Sequence, residues 1–408
     1  MTRREFLKLA TAAFASAVIP ACQPITPTPT FVPTQPPPSA TPTLAVPPSV
    51  TPTLTATPMP TATATPSVTA TPFGFDFVSV RGDQFYWRGA RLPINGFNYY
   101  PRLHPWKTFN LGEWEPQVVA QELKLGATLG ANVVRVFVDA NASVDAPPRT
   151  PVAAPTPPPL PTYAPPLAQY VKNVREFLDL AGNLGYKTIV TLFDALDWAI
   201  YQPQHAWIAE EYLRAFIPSF ANDPRILCWD LQNEPDRALR NVGEKPVVEF
   251  FKRLALLTRT LAPNHLQTIG WIDRARAKYF PDLDEYLDFW CFHFYDDATK
   301  ISDLMQFYKR QTRKPVLLEE FGLPSGGPGY DKSPSPEADQ ARHFEIVLNA
   351  LEANKMCGSV FWCLNDFPLG LSGNPPIKTD SPENHFGVLR LDYSEKPVTQ
   401  IIRKFWKP

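Results

Sequence analysis

Histidine and cysteine are scarce in this chain, six and five among 408 residues, and neither falls at the spacing of a zinc site. No Gly-x-Ser-x-Gly elbow, His-Glu-x-x-His helix or phosphate-binding Gly-rich loop occurs, which removes serine hydrolases, zinc proteases and nucleotide-phosphate enzymes from consideration. Charge of one sign is also missing. The formal net charge is −1 and no basic block is present, so nothing in the electrostatics argues for nucleic acid. Nothing points to a metal or cofactor.

Proline, by contrast, is abundant and unevenly placed. Fifteen of the 48 prolines lie between Pro24 and Pro72, and ten more between Ala146 and Pro166. Proline fixes φ and removes a backbone donor, so such runs stay extended and solvated. Setting both aside leaves about 310 residues, enough for one large barrel-sized domain.

The start of the chain reads as an address. Thr2-Arg3-Arg4-Glu5-Phe6-Leu7-Lys8 matches a twin-arginine export signal, and the apolar stretch Leu9 to Ile19 is too short to span a bilayer. Ile19-Pro20-Ala21-Cys22 resembles a bacterial lipobox, making Cys22 the expected lipidation site. The expected organisation is a signal over 1–22, a Pro/Thr-rich linker over 23–73, and a folded domain over 74–408 with a Pro-rich loop insertion at about 146–166. A spacer of this kind, at up to ~3.1 Å per residue, reaches on the order of 100 Å from the membrane. The expected location is therefore the cell surface, as a lipoprotein, or the medium. Twin-arginine export carries proteins folded in the cytoplasm, where disulfides are rare, so Cys228, Cys291, Cys357 and Cys363 are expected as free thiols.

From Phe75 to Arg88 apolar and polar residues alternate around Arg81-Gly82-Asp83, which predicts a β-hairpin. Eight short apolar runs follow, at 93–98, 132–138, 188–193, 226–232, 267–271, 289–295, 315–320 and 359–364. Near-continuous apolar character suits parallel strands covered on both faces. Helical patterns fill most gaps, at 116–129, 167–184 and 247–261, and Ser335-Pro336 predicts another helix start. The gap between Trp271 and Phe289 is short for a full helix. The pattern predicts a (β/α)₈ barrel with an N-terminal hairpin.

Barrel strands deliver reactive groups at their C-terminal ends. The fourth ends in Trp229-Asp230-Leu231-Gln232-Asn233-Glu234-Pro235, and the seventh in Leu318-Glu319-Glu320-Phe321-Gly322. Two carboxyl groups facing each other across a barrel mouth are what glycosidic cleavage requires: one protonates the departing oxygen while the other attacks or stabilises the sugar carbon. Strand alternation sends Glu319 to the face opposite Glu320. Arg135, in the second strand, faces inward, and a buried arginine demands a carboxylate; Glu320 is the expected partner, with Asp230 possible.

Asn-Glu-Pro after the fourth strand with Glu-Phe-Gly after the seventh closely resembles the clan A glycoside hydrolases, most nearly family 5 with its mannanase- and cellulase-like members. The resemblance runs from about Phe75 to the C-terminus. It implies a retaining β-glycoside hydrolase acting on a carbohydrate, with β-1,4-mannan or glucan favoured, Glu234 as acid/base and Glu320 as nucleophile. It also implies that Asn233 bonds the sugar 2-hydroxyl, that Tyr295 bonds the nucleophile, that His293 helps bind sugar, and that Trp362 floors the catalytic subsite. Retaining enzymes hold the two carboxyls about 5–5.5 Å apart, close enough for one to keep its proton while the other is ionised. Asn98, Tyr99, Asp194 and Trp198 are further candidates for the site, the last two because the histidine usual after the third strand is replaced here by Phe193-Asp194-Ala195-Leu196-Asp197-Trp198. Tyr100, Trp106 and Trp207 are candidate stacking surfaces. A transglycosylase on the same machinery, or a surface carbohydrate-binding protein without catalysis, are the alternatives. A monomer is expected.

Overall fold

The computed structural model of the chain describes residues 76–138, 168–194, 196, 198–272, 280–373 and 376–406, the side chain of Trp198 excepted. The signal, the linker, Cys22 and the Pro-rich insertion lie outside these residues.

The chain enters through a small antiparallel sheet, β1 (Ser79–Arg81), β2 (Gln84–Trp87) and β3 (Ala90–Arg91), turning at Gly82-Asp83 as the alternation predicts. Eight strands then close into a parallel barrel. They are β4 (Ile94–Asn98), β5 (Val133–Phe137), β6 (Lys187–Thr191), β7 (Ile226–Asn233), β8 (Leu266–Ile272), β9 (Trp290–Phe294), β10 (Val316–Phe321) and β11 (Gly358–Phe361). Their order around the ring is β10-β11-β4-β5-β6-β7-β8-β9. All eight predicted strands are present, with ends displaced by at most three residues.

Helices α1 (Pro116–Thr128), α2 (Ala168–Asn183), α3 (Trp207–Phe216), α4 (Asp236–Val242), α5 (Glu244–Leu261), α6 (Pro281–Asp284), α7 (Ile301–Gln311), α8 (Pro336–Ala353) and α9 (Val398–Phe405) lie between and after the strands. The helix in the short gap after β8 has only four residues, α6, as that gap allows. Pro336 sits in the first turn of α8, but Ser335 makes no side-chain cap bond; its backbone N–H donates instead to Ser333 Oγ. Among the described residues no helix is long and apolar enough to cross a membrane.

Two apolar layers hold the barrel. The larger lies between strands and helices and includes Val119, Leu123, Phe177, Trp229, Phe251 and Trp271. The smaller fills the N-terminal end, where Val78 and Phe85 of the entry segment close over Ile94, Val133, Ile189, Leu266, Phe289 and Leu317. Phe85 meets Phe289 edge-on at 4.9 Å. Cys228, Cys291, Cys357 and Cys363 are free and buried, as expected.

Candidate active site

Charge collects at the other end of the barrel. Arg135, on β5, is fully buried, and a guanidinium cannot shed its proton, so it must be met by acids. Its Nη1 donates to Glu320 Oε1 at 2.6 Å and its Nη2 to Asp230 Oδ2 at 2.6 Å. Both expected partners are therefore engaged at once. Burial works against the charge, but Glu319, Asp230 and Glu320 together hold the group protonated. Asp230, bonded as well by Thr191 Oγ1 (2.7 Å) and the Gly270 N–H (2.9 Å), is raised to about 7 by burial and by Glu319, against the pull of Arg135.

Glu234 follows the last residue of β7, and its φ of 45° lies in the left-handed region that a side chain seldom adopts. Such strain tends to sit where geometry is fixed for function. Its N–H donates to the Gly270 carbonyl at 2.7 Å. Glu320 lies across the mouth on β10, its Oε2 accepting from the Tyr295 hydroxyl at 2.6 Å. His293 Nδ1 stands between the two acids, 3.2 Å from Glu234 Oε1 and 3.5 Å from Glu320 Oε2. One oxygen of each acid and the imidazole nitrogen all lie within 4.8 Å of one another. Burial disfavours a charge on His293, but Glu320, Glu234 and Glu319 raise it to about 9.

This trio also has the residue types of a metal site. Its fit to one is poor, because the guanidinium of Arg135 already supplies positive charge at Glu320 and Tyr295 occupies the second oxygen. The arrangement suits proton transfer between closely held acids.

The remaining candidates divide. Asn233 accepts from Arg135 Nη2 (3.0 Å) and donates to Asp194 Oδ1 (2.9 Å), so both belong to the site. Asn98 is buried scaffolding: its amide donates to the carbonyls of Glu319 and Phe361 and accepts from Arg135. Trp362 lies one residue past β11 in an aromatic group with Tyr100, Phe137 and Phe367, and Trp106 stacks on Tyr100 at 4.9 Å. Tyr99 is a correction. It turns away from the mouth, stacks on Phe177 of α2 and donates to Glu122 at 2.7 Å, because the strand's alternation gives the mouth to Tyr100. Trp207 is half exposed at the start of α3 and touches none of these groups in the described contacts. Of Trp198 only the backbone, in a 3₁₀ turn, is described.

Two features escaped the sequence. Glu383, in the 3₁₀ turn Pro382–His385, accepts from the Trp362 indole at 3.0 Å, a contact between residues distant along the chain. Glu319 does not face away. Register between β10 and β9 slips so that Leu318 pairs with Phe292 while Glu320 pairs with His293. The extra residue of this bulge is Glu319, and its carboxylate enters the barrel beneath the site instead of the helical layer. Strict alternation cannot see a bulge.

A closed parallel barrel with paired glutamates after its fourth strand and in its seventh defines a glycoside hydrolase of the clan A kind. The sequence matches the family described as Cellulase (glycosyl hydrolase family 5) over residues 94–368, and the chain belongs to that family of O-glycosyl-cleaving enzymes. It is similar to mannan endo-1,4-beta-mannosidase 1 of Arabidopsis thaliana, 21% identical over 369 residues, covering 73% of this chain and 84% of that protein. Among solved structures it resembles the glycoside hydrolase family 5 mannosidase of Rhizomucor miehei (TM-score 0.59, 18% identity, 81% of this chain and 97% of that one). It also resembles the GH2 beta-galacturonidase of Eisenbergiella tayi (TM-score 0.58, 17% identity, 81% of this chain), of which it spans about half, 54%. At these identities the structural likenesses speak for the fold.

Proposed function

We propose that the chain is a retaining β-glycosidase that cleaves β-linked saccharides, with β-1,4-mannan or glucan as the favoured substrates, through a covalent glycosyl-enzyme. The observation that carries the proposal is the closeness of one oxygen of Glu234 and one of Glu320, within 4.8 Å. That closeness suits direct attack by one carboxylate and belongs with the ~5–5.5 Å carboxyl spacing of retaining enzymes, not the ~6.5–9.5 Å of inverting ones. Glu320, held by Arg135 and Tyr295, is the nucleophile; Glu234, beside His293, gives its proton to the leaving oxygen and then takes one from water. Asn233, with its oxygen fixed by Arg135, has an N–H left for a sugar hydroxyl, and Trp362 anchors the aromatic group beside the site. Mannosidase relatives support the choice of mannan first.

The full chain incubated with β-mannan, β-glucan, xylan and aryl β-glycosides is expected to release sugar from at least one, and Glu320→Ala to release none. A 2-fluoro glycoside of the responding sugar is expected to add one glycosyl group to Glu320, read by mass spectrometry. Longer products in place of free sugar would point to transglycosylation, and binding without turnover to a carbohydrate-binding role. The Thr2–Lys8 and Ile19–Cys22 patterns support export by the twin-arginine route and lipid anchoring. Palmitate labelling of cells is expected to tag the wild type and not Cys22→Ala.

A further inference from the structure

Four polar atoms beneath the site are buried and have no hydrogen-bond partner among the described residues: Arg135 Nε, His293 Nε2 and both carboxylate oxygens of Glu319. They face one another. Arg135 Nε is 3.5 Å from Glu319 Oε1, and His293 Nε2 is 3.6 Å from Glu319 Oε2. A buried carboxylate held only by long contacts to Arg135 and His293 is costly, so its presence asks for a reason beyond packing. The surroundings are built around it. The bulge in β10 brings Glu319 inward, and Gly270 on β8 leaves it room. A Cβ at Gly270 would come within 2.9 Å of Arg135 Nη2 and Glu319 Oε2 and 3.2 Å of His293 Nε2.

His293 therefore has a carboxylate on each side, Glu319 at Nε2 and Glu234 with Glu320 at Nδ1. Which nitrogen of an imidazole carries hydrogen is set by what the other nitrogen meets. An anionic Glu319 demands hydrogen on Nε2 and leaves Nδ1 to exchange a proton with Glu234. Resting on the assignment of Glu234 as acid/base, we propose that Glu319 is a positioning residue, the buried end of a Glu234–His293–Glu319 relay that sets how firmly the site holds its catalytic proton. Glu319 touches no substrate. The charged or titratable groups around the relay are Arg135 from β5, Asp230 and Cys228 from β7, Asp236 from α4, Cys291 from β9 and Glu320 from β10. Burial opposes ionisation of Glu319, but Arg135 and His293 outweigh it and keep the group an anion.

Removing that anion must lower the proton affinity of the Glu234–His293 pair, wherever in the pair the proton rests. The test is Glu319→Gln in the full chain. With ¹⁵N-histidine labelling, the His293 titration (assigned with His293→Gln) is expected to fall by about one pH unit or more. The basic limb of kcat/KM, measured on whichever glycoside the wild type cleaves, is expected to move the same way, with KM little changed. Glu319→Asp, which keeps the charge, is expected to restore most of both shifts. A folded Glu319→Gln whose His293 titration does not move overturns the relay. So does a variant that only loses thermal stability while its pH profile stays in place. If Glu319→Gln does not fold, Glu319→Ala carries the same test of charge removal, and a folded Glu319→Ala whose His293 titration stays in place overturns the proposal. The titration needs no substrate, so a wild type inactive on every glycoside would sink the functional assignment of Glu234 and leave the relay to be decided by the titration.

Discussion

At the closed end of the barrel His265 lies against Trp229 and Phe77, its Nε2 2.9 Å from the Asp223 carbonyl, and burial pushes it down to about 4. At the open end His293 is just as buried, yet the glutamates around it raise it to about 9. The same side chain is held neutral among aromatics and drawn towards charge among acids. One end of the molecule spends its sequence on exclusion of water, through Phe85, Phe289 and their neighbours. The other gathers four carboxylates, an arginine and a histidine at the cost of desolvation. Barrels separate stability from chemistry in this way, and the division here is sharp enough to test.

The largest expected effect breaks the chemistry alone. Glu320→Ala should lower kcat/KM on the responding glycoside by roughly 10⁴-fold or more. Its unfolding midpoint in urea should stay near that of the wild type, since Arg135 keeps Asp230 and Glu319. Arg135→Leu, at the open end, disturbs stability and chemistry at once, because it strands three buried acids. A destabilisation of about 3–5 kcal/mol in urea is expected, together with loss of activity. Phe85→Ala attacks the closed end. It should cost about 3 kcal/mol in the same measurement, while kcat per folded molecule is unchanged.

The smallest effect is in the pH dependence of stability. His265 is depressed from about 6.5, so its contribution is full above pH 6.5 and is lost as pH falls through about 4. His293 is raised, so its contribution is full below pH 6.5 and is lost as pH rises through about 9. Asp230 and Asp236, both raised to about 7 with burial as the main cause, favour the folded state at low pH and lose that effect as pH rises through 7. His265→Gln should therefore flatten the acid limb of a Tm–pH curve and His293→Gln the alkaline limb, each by about 2 kcal/mol. If either substitution flattened the opposite limb, the contrast between the two ends would be wrong.

Much of this was legible in the sequence, because a parallel strand buried on both faces shows as an apolar run and a barrel places reactive groups at strand ends. Glu234, Glu320 and Arg135 follow from those two facts, and His293 with Tyr295 from the resemblance to family 5. What could not be read depends on departures from regularity. Glu319 points inward only because β10 bulges, and bulges leave no mark in composition. Tyr99 and Tyr100 are neighbours of one type, and only the register of β4 decides which meets the mouth. Glu383, which holds Trp362, lies 21 residues from it along the chain.

Arg135 joins groups that lie 95 and 185 residues from it along the chain, on strands that come to face it across the barrel interior only when the ring is complete. Such distant pairings form late, after the entropy of closing long loops has been met. A chain with an open ring therefore has its acids scattered and separately solvated. Its nucleophile lacks the guanidinium that holds it in place. Competence to react is thus a record of completed folding, written by one side chain that only the finished barrel can satisfy.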